Sequence, residues 1–173
     1  MPHEVLPLQI DETPLLGEAP RALATRLARA KALAGRERAS GAHPVLGSDT
    51  VVAVGEEIFG KPTCRADTLA MLSRLSGREH RVFTAVALAL PGDAGPVLEA
   101  LSETAVWMRP VSEEEAAGYW ASGEPEGKAG AYAIQGLGAV FIERINGSYS
   151  GVMGLPLYET ARLLQSVVAG TYP

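Results

Sequence analysis

The chain has 173 residues, of which 47% are hydrophobic, and a formal net charge of −5. This length can bury one core, so we expect a single domain over residues 1–173. An acidic chain without a basic block is not expected to bind polymeric nucleic acid, and no apolar run reaches the roughly 20 residues of a membrane span. Since the first residues are also too polar for a secretory signal, we expect a cytoplasmic protein with no membrane attachment. The lone Cys64 excludes an internal disulfide, and the scattered histidines lack a zinc-binding spacing.

The first half of the chain predicts an edge strand, a helix and a hairpin. Glu4–Ile10 alternates as an edge strand does, and Pro7 fits an edge because it has no N–H for a ladder. A helix is expected from about Pro20 to Ser40, since proline favours a first turn and Gly41 follows. Pro44–Val54 is then a buried strand, which the turn at "GEE" sends back as an antiparallel hairpin.

The second half of the chain predicts helices and strands in alternation. The spacing of apolar residues in "TCRADTLAMLSRLSG" is typical of a helix, and "HRVFTAVALALPG" with "PVLEALSETAVWMRPV" is typical of a hairpin. A helix capped by Ser112, a strand in "AVFIERING" and a final helix beginning at Pro156 follow. This pattern indicates a mixed α/β fold with a hairpin-rich sheet and flanking helices.

The predicted hairpin carries an acid, Asp49, in its first strand and a lysine, Lys61, just after its second strand. If Val54 pairs near Glu57 or Ile58, the antiparallel register brings Asp49 to the level of Lys61. The two side chains then form either a structural ion pair or part of a chemical site.

Lysine is rare in this chain, since twelve of the fifteen basic residues are arginine. A lysine offers a compact, rotatable point charge that arginine does not. Lys61 and Lys128 stand in glycine contexts, where the backbone can approach a ligand closely. Lys31 lies at the edge of the apolar stripe of its helix and either snorkels to solvent or points into a cleft beside the core. Simple surface exposure is the alternative for each lysine.

A long glycine-rich loop separates the last elements. Ser122–Gly138 is too rich in glycine for a regular helix and too long for an ordinary connection. Its apolar residues Ala131, Tyr132 and Ile134 argue against disorder, so we expect a binding loop. A second such stretch is "INGSYSGVMGLP", whose polar side chains are Asn146, Ser148 and Ser150.

Five motifs in order resemble those of the Maf family of nucleoside triphosphate pyrophosphatases. They are "GSDTVV", "GKP", "LSGREHRVFTAV", "SGEPEGKAGAYAIQG" and "GSYSGVMGLPLYET", and the resemblance runs from about Ile10 to Leu164. It implies an inosine-triphosphatase-like fold with two lobes around a central cleft, a divalent cation, a homodimer, and hydrolysis of a nucleotide to its monophosphate and pyrophosphate. "DTVV" and "KAGAYAIQG" are similar to the branch of the family that acts on dTTP and UTP.

Cleavage between the α and β phosphates requires an activated water, a metal and cations that neutralise the leaving pyrophosphate. Asp49 is the candidate general base and metal ligand, because a carboxylate only accepts hydrogen bonds and prefers hard cations such as Mg²⁺ or Mn²⁺. Glu12 matches an acid of the family and is expected to share the metal or the water. Lys31 and Lys61 are expected to neutralise phosphates, and Lys61 is expected to be one of the catalytic residues.

Three further residues are expected to contact the nucleotide. Thr50 and Lys128 fit base discrimination by the resemblance alone. Gln135 can offer a donor and an acceptor to a base or ribose, or its amide can order its own loop.

Other interpretations stay open at this stage. Asp49 can be a paired structural aspartate, and Glu12 can be a residue of the turn before the helix. The whole protein can be a catalytically weak nucleotide-binding or regulatory protein, or a pyrophosphatase for inosine or xanthosine triphosphate.

The motif that usually opens the family does not occur in this sequence. Members usually carry a buried strand and an "SxSPRR" loop that holds the triphosphate at a helix start. Here "MPHEVLPLQIDET" resembles the following strand region, and "SPRR" is found nowhere. Because the later motifs are complete, we expect a start codon assigned too far downstream rather than a natural loss of activity.

Overall fold

The computed structural model describes residues 3–39, 43–92 and 94–167. The strands are β1 (Val45–Val54), β2 (Glu57–Phe59), β3 (Glu79–Ala89), β4 (Val97–Met108) and β5 (Ile142–Asn146). The helices are α1 (Pro20–Arg38), α2 (Arg65–Leu75), α3 (Glu113–Ala121), α4 (Tyr149–Val152) and α5 (Leu157–Val167). The strands form one sheet in the order β2-β1-β3-β4-β5, and all neighbours are antiparallel. The predicted mixed α/β fold with a hairpin-rich sheet is confirmed.

Both predicted hairpins are present, and their register places the polar residues of the central strands. In the β1–β2 hairpin Val54 pairs with Glu57, as expected. β1 also pairs along its length with β3, where Thr50 lies opposite Thr84. On its other side β1 pairs with β2 only from Val52 onward, so the first part of β1 carries no second ladder within the described ranges.

The predicted edge strand Glu4–Ile10 is wrong, because this segment forms no strand. The carbonyl of Pro7 accepts a hydrogen bond from the Arg38 side chain (2.7 Å), and Ile10 packs against the apolar cluster around α1. The alternating side chains therefore reflect contact with a helix and not membership of a sheet.

Several element ends differ from the sequence predictions. α1 ends at Arg38, and the predicted end at Ser40 lies outside the described residues. β5 begins at Ile142, because Gly136–Phe141 forms a 3-10 helix where the strand was expected to begin. α5 begins at Leu157, directly after the expected Pro156, and its predicted last residues also lie outside the described ranges. Ser112 caps α3 as predicted, and its hydroxyl accepts a hydrogen bond from the amide of Glu115.

Each face of the sheet carries its own apolar cluster. Side chains alternate along a strand, so Val51 faces α1 while Val52 faces the cluster that includes residues of α2 and α3. α1 packs directly on the backbone of β1 at Gly47, where an added Cβ would lie 2.4 Å from the carbonyl oxygen of Ala28 and 2.5 Å from the amide nitrogen of Ala32. Only glycine permits this approach, which brings the next turn of α1 close to the residues that follow Gly47.

None of the helices in the described ranges is long and apolar enough to cross a membrane.

His80 is a buried titratable residue of β3. Its side chain is 1% exposed, and its Nε2 lies 2.7 Å from the hydroxyl of Tyr132. Burial lowers the pKa of His80 to about 4, because the charged imidazolium loses its hydration. The folded protein therefore holds this histidine neutral under conditions in which an unfolded chain protonates it.

We expect His80 to make the protein less stable in mild acid. The contribution of neutral His80 to the free energy of unfolding is complete above the unfolded pKa of about 6.5 and is lost as the pH falls toward the folded pKa of about 4. Between about pH 7.5 and about pH 5 this loss amounts to about 2 kcal/mol. His80→Gln should reduce the fall in the free energy of unfolding over this interval, as measured by urea denaturation. The matched control is His43→Gln, which changes an exposed histidine. An equal pH dependence in His80→Gln and wild type would contradict this origin.

Candidate active site

A cavity of about 270 Å³ opens where the edge of β1 meets two loops. One wall is formed by residues of the glycine-rich loop and another by Val152–Gly154; the loop residues are Gly127, Lys128, Ala129, Tyr132, Ala133 and Gln135. The polar and charged residues that line it include Lys31, Ser48, Asp49, Thr50, Lys61, Lys128, Tyr132 and Gln135. The fold thus brings together six of the seven site residues predicted from sequence.

The seventh predicted residue, Glu12, joins the cavity through its carboxylate. Its Oε2 accepts a hydrogen bond from Lys61 Nζ (2.6 Å), and its Oε1 lies 2.7 Å from Lys31 Nζ. Lys31 Nζ in turn donates to Asp49 Oδ1 (2.5 Å). Lys61, Glu12, Lys31 and Asp49 form an alternating network of charges, which we call the charge network.

The predicted direct pair of Asp49 and Lys61 is wrong. The β1–β2 ladder ends at Phe59, so the backbone beyond it does not follow the extrapolated register. Close packing of α1 at Gly47 brings Lys31 to Asp49 instead. The prediction that Lys31 points into a cleft beside the core is confirmed, because its side chain lines the cavity.

Burial and charge act in opposite directions on the ionisable groups of this network. Burial raises the pKa of Asp49, which is 8% exposed, and the ammonium of Lys31 offsets this only in part. Burial alone would lower the pKa of Lys31, but its two carboxylate partners raise it. Burial alone would raise the pKa of Glu12, but hydrogen bonds from Lys31 and Lys61 lower it. Asp49 is the carboxylate whose charged form is least favoured by its surroundings.

The glycine-rich loop is folded against the sheet. Ala131, Tyr132 and Ile134 are buried, as expected, and the Glu124 carboxylate accepts hydrogen bonds from the amides of Leu137 and Gly138. These contacts hold the loop closed on itself, and its inner residues form part of the core.

The loop is also tied to the segment that carries Lys61. The amide of Gly130 donates to the carbonyl of Gly60 (3.0 Å), and an added Cβ at Gly130 would lie 2.9 Å from Val52 Cγ1. The glycine context noted for Lys61 and Lys128 therefore marks a close contact between two backbone segments, which positions both lysines at the cavity.

The remaining predicted contact residues differ in how they are held. The Thr50 hydroxyl lies 3.0 Å from that of Thr84. Gln135 is exposed, and its amide makes no hydrogen bond among the described residues, so the loop-ordering alternative gains no support.

The two serines of the second polar stretch bind backbone amides through their hydroxyl groups. Ser148 caps α4 by accepting a hydrogen bond from the amide of Gly151, and Ser150 accepts one from the amide of Leu157, the first residue of α5. The cavity is lined instead by the residues between them and α5.

Sequence reasoning missed two hydroxyl residues: Ser48, which lines the cavity, and Thr84, which lies buried behind Thr50. Ser48 donates to the carbonyl of Gly154 (2.7 Å), and Thr84 donates to the carbonyl of Gly151 (2.7 Å). The available signal was the antiparallel register, which sets Thr84 opposite Thr50 in the motif "RVFTAV".

The donors available for a metal are two carboxylates. Among the described residues no group of three or more His, Cys, Asp and Glu side chains could hold an ion. Glu12 and Asp49 converge on a single cation, the ammonium of Lys31. Mg²⁺ is commonly bound by one or two carboxylates together with substrate phosphates, so this donor set fits a hard divalent cation that arrives with a phosphorylated ligand.

Removing Lys31 should expose the cost of burying Asp49. We expect Lys31→Met to lower the free energy of unfolding by about 1 to 3 kcal/mol, less than for a fully buried pair because the Lys31 side chain is 24% exposed. Urea denaturation measures this change. Lys61→Met is the matched control, and since its side chain is 52% exposed it should cost less than about 1 kcal/mol.

A second variant separates the buried charge from lost packing. Lys31→Met combined with Asp49→Asn should recover part of the lost stability, because the carboxylate that lost its partner is then absent. Equal destabilisation by Lys31→Met and Lys61→Met would show that the Asp49 pair is no stronger than the exposed one.

The chain is similar in sequence to known proteins along most of its length. Residues 1–167 match the family model described as Maf-like protein. A dTTP/UTP pyrophosphatase of Burkholderia lata is 54% identical over 159 residues, which cover 90% of this chain and 75% of the relative. Proteins of the same name from Methylococcus capsulatus (47%, covering 99% of this chain and 83% of the relative) and Hydrogenovibrio crunogenus (45%, covering 95% and 85%) are also similar. This chain therefore belongs to the family of Maf-like proteins.

Proposed function

We propose that this protein hydrolyses nucleoside triphosphates, with dTTP and UTP favoured, to the nucleoside monophosphate and pyrophosphate, and so removes unwanted nucleotides from the cellular pool. The observation that carries this proposal is the buried Asp49 carboxylate at a cavity lined by all three lysines of the chain. The relatives named as dTTP/UTP pyrophosphatases, at 45–54% identity, support the choice of reaction and substrate.

The lysines have the charge that a triphosphate requires. Lys31 and Lys61 bind and neutralise phosphate oxygens, exchanging a carboxylate partner for a phosphate. Lys31 contacts Asp49, and Glu12 joins the two lysines, so a triphosphate held by them lies beside the Asp49 carboxylate.

Asp49 is the general base of the proposed reaction. Its carboxylate takes a proton from the attacking water, the water oxygen bonds to the α-phosphorus, and the bond from that phosphorus to the bridging oxygen breaks to release pyrophosphate. The raised pKa of Asp49 suits this role, because a carboxylate with a higher pKa is a stronger base.

Glu12 and Asp49 are the residues that would hold Mg²⁺ or Mn²⁺, as their oxygen donors are the type that these ions prefer. When bound, such a cation supplies charge stabilisation to the phosphates. Glu12 also holds both lysines through its hydrogen bonds and so fixes the spacing of their charges.

The base and sugar lie toward the other cavity wall in this proposal. Thr50, Lys128 and Gln135 line the cavity and take no part in the charge network. Thr50 points to the opposite face of β1 from Asp49, because consecutive strand residues alternate. The resemblance to the family further supports a single domain over residues 1–173, a homodimer and a cytoplasmic location.

The first test of this proposal is substrate choice. With Mg²⁺ or Mn²⁺, the protein should release pyrophosphate faster from dTTP or UTP than from ATP, GTP, inosine triphosphate or xanthosine triphosphate, as measured by a coupled pyrophosphate assay. Preference for a purine would refute the pyrimidine assignment. Nucleotide binding without turnover of any triphosphate would indicate a regulatory binding protein instead.

The second test removes the proposed base. Asp49→Asn keeps the shape of the side chain and should reduce kcat by roughly 10²-fold or more while leaving the fold intact, as for other general-base deletions. Lys61→Ala is the comparison variant and should raise KM more than it lowers kcat, because it removes a phosphate contact and not the base. Turnover by Asp49→Asn at the wild-type rate would show that Asp49 is structural.

A further inference from the structure

Three hydrogen-bonding groups form a line from the core to the cavity. The Thr84 hydroxyl is fully buried between the carbonyl of Gly151 at 2.7 Å and the hydroxyl of Thr50 at 3.0 Å. The geometry points to Thr84 as a positioning residue that makes the Thr50 hydroxyl a hydrogen-bond acceptor toward the cavity, and so favours a uracil or thymine base over cytosine. This inference rests on the proposed function and identifies how the same site reads the base.

The direction of these hydrogen bonds follows from the groups themselves. A carbonyl oxygen only accepts, so Thr84 must donate its single proton to Gly151. Thr84 then has only lone pairs left for Thr50, and Thr50 must donate its own proton to Thr84. With that proton in use, Thr50 offers only lone pairs to a ligand.

The surrounding structure holds this direction in place. Thr50 and Thr84 lie opposite each other in the β1–β3 ladder, so their separation is set by the sheet. The carbonyl of Gly151 is held because its amide donates to Ser148, and because an added Cβ at Gly151 would lie only 2.9 Å from the hydroxyl of Ser102. Neither neighbour of Thr84 can easily turn away to release its proton.

This direction matters for base choice because the pyrimidines differ at N3. Uracil and thymine carry an N3–H donor, whereas neutral cytosine presents a lone pair at N3. An acceptor at Thr50 can accept the N3–H of uracil or thymine. With cytosine, the lone pair at N3 faces a lone pair of Thr50, and no hydrogen bond forms. Lys31 and Lys61, which bind the phosphates in the proposed function, belong to the charge network of Asp49. Thr50 points to the opposite face of β1 from Asp49, beside Gly154, and is therefore on the side of the base.

The test compares UTP with CTP, which have the same sugar and phosphates. Thr84→Val removes the acceptor of the Thr50 proton, so the Thr50 hydroxyl can rotate and donate to N3 of cytosine. We expect the ratio of kcat/KM for UTP to that for CTP to fall about tenfold, the scale of one hydrogen bond. Thr84→Ser keeps the hydroxyl and should retain the ratio within about twofold. If Thr84→Val does not fold, Thr84→Ala removes the same hydroxyl without added bulk.

Thr104→Val is the matched control. Thr104 is a buried threonine on β4 whose hydroxyl bonds the backbone of Ser148, in the same segment that Thr84 holds. Strand β3 separates it from Thr50 on β1. Its loss should loosen this segment without changing the ratio of UTP to CTP. An equal fall in Thr104→Val and Thr84→Val would overturn the inference in favour of a merely structural role.

A double variant tests whether Thr84 acts through Thr50. If it does, Thr50→Val and Thr50→Val combined with Thr84→Val should show the same ratio, whereas independent effects would add and overturn the inference. A different outcome is that Thr84→Val slows the hydrolysis of UTP and CTP equally and leaves the ratio unchanged. The ligand group that donates to Thr50 would then belong to the sugar, and the base assignment would be overturned.

Measurements of nucleotide binding distinguish a failure of this inference from a failure of the proposed reaction. If wild type hydrolyses neither nucleotide, calorimetric affinities for UMP and CMP replace the kinetic ratio. A lower preference for UMP in Thr84→Val would then support the inference although the proposed function fails. A preference that Thr84→Val leaves unchanged, or no binding of UMP by wild type, would overturn the inference.

Discussion

The close contact of α1 with β1 at Gly47 is the constraint on which the charged side of the site depends. The backbone of α1 around Ala28 and Ala32 lies where a side chain of residue 47 would otherwise stand. Lys31 belongs to the same turn of the helix and Asp49 follows Gly47 by two residues, so apolar packing sets the distance between the two charges. The apolar cluster of α1 supplies the stabilisation that offsets the cost of burying Asp49.

β1 serves two chemical environments because its residues alternate between faces. Asp49 joins the charge network on the face covered by α1, whereas Ser48 and Thr50 join the hydroxyl contacts to Gly154 and Thr84 on the other. The cavity reaches both faces because β2 pairs with β1 only from Val52 onward. A single strand can therefore present a carboxylate to phosphates and a hydroxyl to a base without the two groups competing.

Local patterns predicted most of the secondary structure and, together with the family resemblance, residues that the fold brings to one cavity, but not the partners of their side chains. The β1–β2 register was correct at Val54, and the lysines in glycine contexts do line the cavity. Asp49 pairs with Lys31 and not with Lys61, because the partner is chosen by packing between a helix and a strand that are distant in sequence. The alternation of Glu4–Ile10 was misleading for the same reason, since a segment that lies on a helix can cover every second side chain in part, as an edge strand does.

The alternating charges of the network explain why substrate and metal would act together in the proposed reaction. Lys31 and Lys61 are neutralised by Glu12 and Asp49 as the protein stands. A triphosphate that draws the two ammonium groups toward its oxygens leaves both carboxylates without their counterions in a partly buried site, which is costly. A divalent cation held by the same carboxylates would restore the balance. In the proposed reaction the site would therefore favour the triphosphate and the cation together over either alone, and Asp49, as the more buried carboxylate, would gain most from that pairing.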